Sequence, residues 1–205
     1  MDQQRHWEQV YSAKAPDQVS WFRPHLDQSL TLIARAAANL SAPIVDVGGG
    51  ASTLVDDLLA RGYRDITVLD ISSTAIEIAK QRLGDVGQAV HWMIADVTRL
   101  ELPRRAFEVW HDRAVFHFLA SDEDRGAYVK NVIRAVRPGG HVIVSTFGPQ
   151  GPLKCSGLEV VRYDASSLHH EFGGRFRLLE STTEEHRTPF GSTQQFVYCY
   201  CVLDG

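Results

Sequence analysis

At 205 residues the chain can form one domain that buries roughly 70% of its unfolded surface, with little room for a second. Apolar residues make up 44% and charged residues 22%, the balance of a soluble globular protein and not of a disordered one. The net charge is −4 and the 21 basic residues form no run, which argues against a nucleic-acid partner; no window approaches the ~18 apolar residues of a membrane span, and Met1-Asp2-Gln3-Gln4-Arg5-His6 lacks the apolar core of a secretory signal, so we expect a cytoplasmic protein with no membrane partner.

In chain order, residues 1–40 begin with a short aromatic helix around Trp7, Val10 and Tyr11. A proline-containing link, Trp21-Phe22-Arg23-Pro24, leads into an alanine-rich helix from about His25 to Leu40. We read this segment as a helical cover over a main domain, 41–205. Ile44-Val45-Asp46-Val47 is too short for a helix and is closed by three glycines, so it reads as a buried strand. Ser52 caps the next helix, whose apolar residues Leu54, Val55, Leu58 and Leu59 share a face and which Gly62 stops. Strand two is Ile66 to Asp70. The helix after it opens at Ser72-Ser73-Thr74, with Glu77 three residues after Thr74 as in a capping box, buries Ile76, Ala79 and Leu83, and ends at Gly84.

Val90 to Ile94 and Phe107 to Asp112 are strands three and four, each followed or ended by a carboxylate, Asp96 and Asp112. A helix from Asp122 to Val136 buries Tyr128, Val129, Val132, Ile133 and Val136 and stops at Pro138-Gly139-Gly140; strand five is His141 to Phe147. A loop, Gly148 to Pro152, and a short helix, Ala165 to Phe172, capped by Asp164 and stopped by Gly173, follow. Arg175–Glu184 and Gln194–Leu203 alternate and are joined by a turn, which predicts an antiparallel closing pair. Strands alternating with helices mean an α/β domain with a largely parallel sheet. Three cysteines cannot all pair, Cys199 and Cys201 lie two apart on one strand, and no metal-ligand spacing occurs; reduced thiols and no metal are the expectation.

In such a sheet a ligand binds beyond the carboxyl ends of the strands, where strand order reverses. The residues there are Gly48-Gly49-Gly50, Asp70, Asp96 and His111-Asp112. Glycines admit close approach of backbone to a ligand. Asp70, twenty residues after Gly50, is spaced to accept hydrogen bonds from ribose hydroxyls. A pyrophosphate fingerprint needs a third glycine where Thr53 stands, and Asp46 adds negative charge that suits an ammonium and a sulfonium better than a pyrophosphate. The spacing therefore favours S-adenosylmethionine over a dinucleotide.

Through Asp46-Val47-Gly48-Gly49-Gly50, Asp70, Ala95-Asp96-Val97 and Arg137-Pro138-Gly139-Gly140, roughly residues 40–147 resemble the class I S-adenosylmethionine-dependent methyltransferases. The resemblance implies a Rossmann-like, mostly parallel seven-stranded sheet with helices on both faces and a C-terminal antiparallel hairpin. It also implies that Gly48 and Gly50, with Gly49 between them, pack under the methionine part, that Asp70 with Ile71 takes the ribose, and that Asp96 and the Val97 backbone take the adenine. His111, Asp112, Arg113 and His117 stand where that family's acceptor-binding residues usually lie, and histidine is a residue type suited to taking a proton from an acceptor. His111 is read as a contact to cofactor or acceptor, with a structural role open; Asp112 and Arg113 are read as catalytic or as paired with each other. Trp7, Tyr11, Trp21 and Phe22 are read as a roof over the cofactor's cation, with helix packing the alternative for Trp7 and Tyr11.

Val109 to Ala114 and the Gly151-Pro152 loop resemble the thiopurine methyltransferase branch, which methylates small thiol-like acceptors. The start of the chain, with Asp46 to Thr53, is similar to small protein lysine methyltransferases, which often carry an Asp-Lys-Gly type of motif where this chain has Asp112-Arg113-Ala114. The functions in contention are methyl transfer to a small thiol-like or amine acceptor, methyl transfer to a protein lysine, and a nicotinamide-dependent or non-catalytic nucleotide-binding domain.

Overall fold

A computed structural model describes residues 3–205; Met1 and Asp2, the start of both the expected cover and the leader reading, lie outside the described residues. Five strands run parallel: β1 (Ile44–Val47), β2 (Ile66–Asp70), β3 (Val90–Ile94), β4 (Phe107–Arg113) and β5 (Val136–Phe147). A small hairpin follows, β6 (Lys154–Cys155) and β7 (Leu158–Glu159). The chain closes with β8 (Phe176–Arg187) and β9 (Thr193–Leu203), and β9 pairs antiparallel with both β5 and β8. The order in the main sheet is β3-β2-β1-β4-β5-β9-β8. Successive strands β1, β2 and β3 step one way and β4 starts on the other side of β1, so the switch point lies between the tips of β1 and β4.

The helices are α1 (Gln3–Ala13), α2 (Asp27–Ala36), α3 (Leu54–Ala60), α4 (Ser73–Leu83), α5 (Asp122–Ala135) and α6 (Ala165–Phe172). Ile44 and Val109 pack with α2 and α3, whereas Val45, Val47, Trp110 and Val144 pack with α5 and α6, because alternate strand residues point to opposite faces. Both faces of the sheet are thus covered, and β1, β2 and most of β4 are buried, which is why these strands read as near-continuous apolar runs. Among the described residues no helix is long and apolar enough to cross a membrane.

Several boundaries differ from the sequence reading. α2 is shorter at both ends, with Ala37 already extended. α4 is capped by Ser72, whose hydroxyl accepts from Ala75 N–H, and Glu77 pairs with Lys80, so no Thr74–Glu77 box forms. α5 ends at Ala135 and β5 begins at once at Val136; Arg137–Gly140 then bulges against Glu108 before pairing resumes at His141. The β6–β7 hairpin was not expected, although its Ser156-Gly157 turn, with φ of 48° and 82°, is a two-residue hairpin signal.

Candidate active site

The tips of β1, β2 and β4 open on a cleft of about 1240 Å³, counted out to its mouth. Its floor is the turn after β1. Gly48 has φ +70°, its N–H donates to Leu69 C=O at 2.7 Å, and a Cβ there would stand 2.0 Å from Val115 Cγ2. At Gly49 and Gly50 a Cβ would come within 2.4 Å of the Asp46 and Asp70 carboxylates respectively. The three glycines therefore let the chain pass between two acidic groups and the β4 exit, where no side chain fits.

Asp70 lines the cleft at the tip of β2, and its Oδ1 accepts from Ser72 N–H at 2.8 Å. Burial raises its carboxyl from 3.8 to about 7, against the pull of that backbone donor. Ile71 follows it on the wall. Asp96 and Val97 line the far end; Asp96 Oδ1 accepts from the Thr98 N–H and hydroxyl, and the Val97 carbonyl is held by Asn131 at 2.7 Å.

Asp46 and His111 face each other across β1 and β4, with Asp46 Oδ1 2.7 Å from His111 Nδ1. Nε2 of His111 meets Ser29 Oγ of α2 at 2.9 Å, Ser29 Oγ lies 3.3 Å from the Tyr198 hydroxyl, and that hydroxyl donates to Glu184 at 3.1 Å. Both ring nitrogens of His111 are thereby engaged inside the protein. Among the described residues Asp46 Oδ2 has no hydrogen-bond partner, although it is buried and its residue lines the cleft. An orphaned carboxylate oxygen on a glycine floor is a fitting seat for a cationic ligand group.

The neighbours Asp112 and Arg113 do not pair, because adjacent strand residues point to opposite faces. Asp112 turns toward α5, accepting from the Tyr128 hydroxyl at 2.7 Å and from the N–H groups of Val115 and Phe116; burial lifts its carboxyl to about 6 despite these donors. It caps the turn after β4 and does not line the cleft, which corrects the expectation of a catalytic role. His117 is corrected likewise: it is buried behind Phe118, its Nδ1 accepts from Phe147 N–H at 3.2 Å, and burial followed by the Arg113 charge lowers it to about 3, leaving it neutral. Arg113 does line the cleft. Its Nη1 donates to the Trp21 carbonyl at 3.1 Å and its guanidinium lies over the Phe196 ring. Ala114, next on the wall, sits at φ +74°, a strained conformation for a residue with a Cβ.

The roof comes from the N-terminal segment. Trp7, Tyr11, Trp21 and Phe22 all line the cleft, and Trp7 meets Trp21 and Phe118 edge-on at 5.8 and 5.0 Å between centroids. α1 contains no fully buried residue, yet it is tied down by Glu8, which accepts from the Ser73 and Thr74 N–H groups (2.6 and 3.1 Å) and the Ser72 and Ser73 hydroxyls. Glu8, Ser29, Glu184 and Tyr198 were not singled out from the sequence. Only Glu8 left a signal there, as a lone acid one residue from Trp7 on a helix whose partner end is rich in serine and threonine.

A family model described as a methyltransferase domain matches residues 44–140. The eEF1A lysine and N-terminal methyltransferase of Mus musculus is 25% identical over 138 residues, covering 67% of this chain and 19% of that protein, so the chain spans about a fifth of that relative's length. The ubiquinone/menaquinone biosynthesis C-methyltransferase UbiE of Bordetella parapertussis is 26% identical over 118 residues, covering 56% of this chain and 44% of that protein. A solved structure from work on the conversion of a disulfide bond into a thioacetal group during echinomycin biosynthesis superposes with a TM-score of 0.79 at 19% identity, over 98% of this chain and 92% of the other.

Proposed function

We propose that this chain, whose residues 44–140 match a methyltransferase-domain model, is a class I S-adenosylmethionine-dependent methyltransferase that methylates a small acceptor, thiol-like or amine, in the aromatic-lined cleft. The observation that carries this reading is the aromatic wall: Trp7, Tyr11 and Trp21 line the cleft at the β1–β4 switch point and pack edge-on against one another, a lining that favours a small acceptor. S-adenosylmethionine, the cofactor, supplies a methyl group on a positively charged sulfur when bound. The free oxygen of Asp46 takes the ammonium of the methionine part, over the floor of Gly48, Gly49 and Gly50. Asp70, beside Ile71, accepts from the ribose, and Asp96 with Val97 holds the adenine. The aromatic rings would exclude water from the bound cofactor and stabilise its positive charge.

His111 acts by position. With Nδ1 on Asp46 and Nε2 on Ser29 it has no nitrogen to offer an acceptor, so it orients the Asp46 carboxylate and takes no proton in the reaction. Alignment is then the main contribution of the protein, worth on the order of 7–11 kcal/mol in favourable cases. An acceptor arriving as a thiolate needs no base. A protein lysine remains the second reading, favoured by the similarity to the mouse lysine and N-terminal methyltransferase.

The test is to incubate the protein with methyl-labelled donor and a mixed lysate and to separate protein from small molecules. Label in the small-molecule fraction is expected; label confined to protein would replace this reading with the second. S-adenosylhomocysteine, and not NAD, should raise the unfolding temperature, since a ligand of the native state at 100 times its Kd adds about 2.7 kcal/mol.

A further inference from the structure

A second cleft, of about 1150 Å³ counted out to its mouth, lies against α5 and shares no lining residue with the one at the strand tips. Six basic side chains line it, Arg99, Arg104, Arg105, Lys130, Arg134 and Arg175, against one acid, Glu101. Arg134 meets Glu101 at 3.2 Å, and Arg99 meets Asp96 at 3.3 Å. Among the described residues the side chains of Arg104, Arg105, Lys130 and Arg175 make no ion pair and no hydrogen bond, and all four residues are exposed. Like charges gathered in a concave surface repel one another and focus a positive field into it. The whole chain carries a net charge of −4, so the surface outside this cleft is acidic on balance.

The walls of the cleft are tied together. Asn131, buried on α5, donates from Nδ2 to the carbonyls of Val97 and Leu100 at 2.7 and 2.9 Å, and Arg134 Nε donates to Leu102 C=O at 2.7 Å. Arg105 N–H donates to Arg134 C=O at 2.9 Å, and Arg105 stands at φ +53°, a strained conformation for a residue with a Cβ. Residues 98–105 are thus stitched to α5, where Ala127, Lys130, Asn131 and Arg134 form one stripe at spacings of three and four. Arg175, just before β8, supplies the third side.

We propose that this cleft binds a compact polyphosphate, a ligand of linked phosphate groups small enough to lie within it. A phosphate accepts donors from several directions around a tetrahedral centre, whereas a carboxylate accepts close to one plane, and cations on three sides match the former. Guanidinium forks supply most of the donors. A nucleic-acid strand would run beyond the cleft onto the acidic surface, where its phosphates are repelled. The proposal uses no residue that lines the strand-tip cleft, so it stands apart from the methyl-transfer reading.

The full chain is titrated by calorimetry with inorganic tripolyphosphate, with citrate and with a single-stranded oligonucleotide of about 20 nucleotides, at about 0.1 M ionic strength. Tripolyphosphate should bind at one site per chain, about tenfold or more tighter than citrate. Arg104→Gln, Lys130→Gln and Arg175→Gln together should weaken it about tenfold or more, since exposed charge contacts are worth about two- to fivefold each. A control, Arg61→Gln, Arg64→Gln and Arg187→Gln together, removes the same charge from exposed positions outside the cleft and should change the affinity by less than about threefold. The proposal is overturned if tripolyphosphate does not bind, if citrate binds as tightly, or if the two triple variants lose affinity equally. A higher affinity for the oligonucleotide than for tripolyphosphate overturns it in favour of a nucleic-acid partner. Should the cleft variant not fold, Arg104→Gln and Arg175→Gln are measured singly; each should weaken binding about twofold or more, and no change in either overturns the proposal.

Discussion

Replacing Glu8 with alanine should loosen the roof while leaving the rest of the fold in place. Its carboxylate serves two N–H groups at the start of α4, Ser73 at 2.6 Å and Thr74 at 3.1 Å, together with two hydroxyls, and it does so from a different helix. That is the work of an N-cap done in trans, with a negative charge at the positive end of the helix dipole. Loss of a cap costs about 0.5–2 kcal/mol and the dipole contribution adds about 0.3–1. Because the carboxylate is partly solvated we take the lower part of the sum, about 1–2 kcal/mol, a five- to thirty-fold change in an opening equilibrium.

α1 buries no residue fully, so the loss should be local. Amide hydrogens of residues 3–13 should exchange faster in Glu8→Ala by that factor, with strands β1 and β4 unchanged. Acid should imitate the substitution. The hydrogen bonds hold Glu8 down from 4.5 to about 2, against the opposing effect of its own burial, so the latch is complete above pH 4.5 and fades as the pH falls toward 2; Glu8→Ala should show no such dependence. Equal exchange of α1 in the two proteins at neutral pH would refute the idea that Glu8 holds the roof.

Asp70→Asn should reduce S-adenosylhomocysteine affinity about tenfold or more by calorimetry while stabilising the ligand-free protein. Burial raises Asp70 from 3.8 to about 7, so its fold contribution is best below pH 4 and declines as pH rises through 7; the gain from asparagine should grow over that window to about 2–4 kcal/mol, and a pH-independent gain would count against it. His111→Ala strips partners from Asp46 and Ser29, both buried, and should lower stability by about 2–4 kcal/mol in urea unfolding; wild-type stability would mean the contacts carry nothing. Gly48→Ala places a Cβ 2.0 Å from Val115 Cγ2 and should abolish cofactor binding, and adding Val115→Ala should restore folding only in part, since φ +70° remains strained. Full recovery in the double variant would show that the clash alone matters.

The strand tips were legible because each carries its own local signal: a short apolar run closed by glycine or by a carboxylate, as at Val47-Gly48, Asp70 and Asp96. The helix capped by Asp164 and stopped by Gly173 was legible for the same reason, and its bounds, Ala165–Phe172, coincide with the reading. What failed was nonlocal or turned on orientation. Asp112 and Arg113 are sequence neighbours and opposite charges, yet period-two alternation sends one to Tyr128 and the other to Trp21. Ser29 and Tyr198 lie 169 positions apart and nothing in either neighbourhood marks them. Basic residues without a run in sequence are nevertheless gathered: Arg99, Arg104, Arg105, Lys130, Arg134 and Arg175 line a second cleft below the Thr98 loop.

The polar chain from Asp46 through His111, Ser29 and Tyr198 to Glu184 crosses from β1 to the antiparallel hairpin, and burying so many polar groups is expensive unless each is satisfied. Apolar residues of similar size would stabilise the same packing more cheaply. The chain ends on one side in a carboxylate oxygen of Asp46 that has no hydrogen-bond partner among the described residues, and on the other in Glu184, which is closed by Arg23 and Arg113. A purely structural network would close its Asp46 end as it closes its Glu184 end. The open end therefore fits the proposed role of Asp46 toward a cationic ligand group, at a position fixed by the rigid strands β1 and β4.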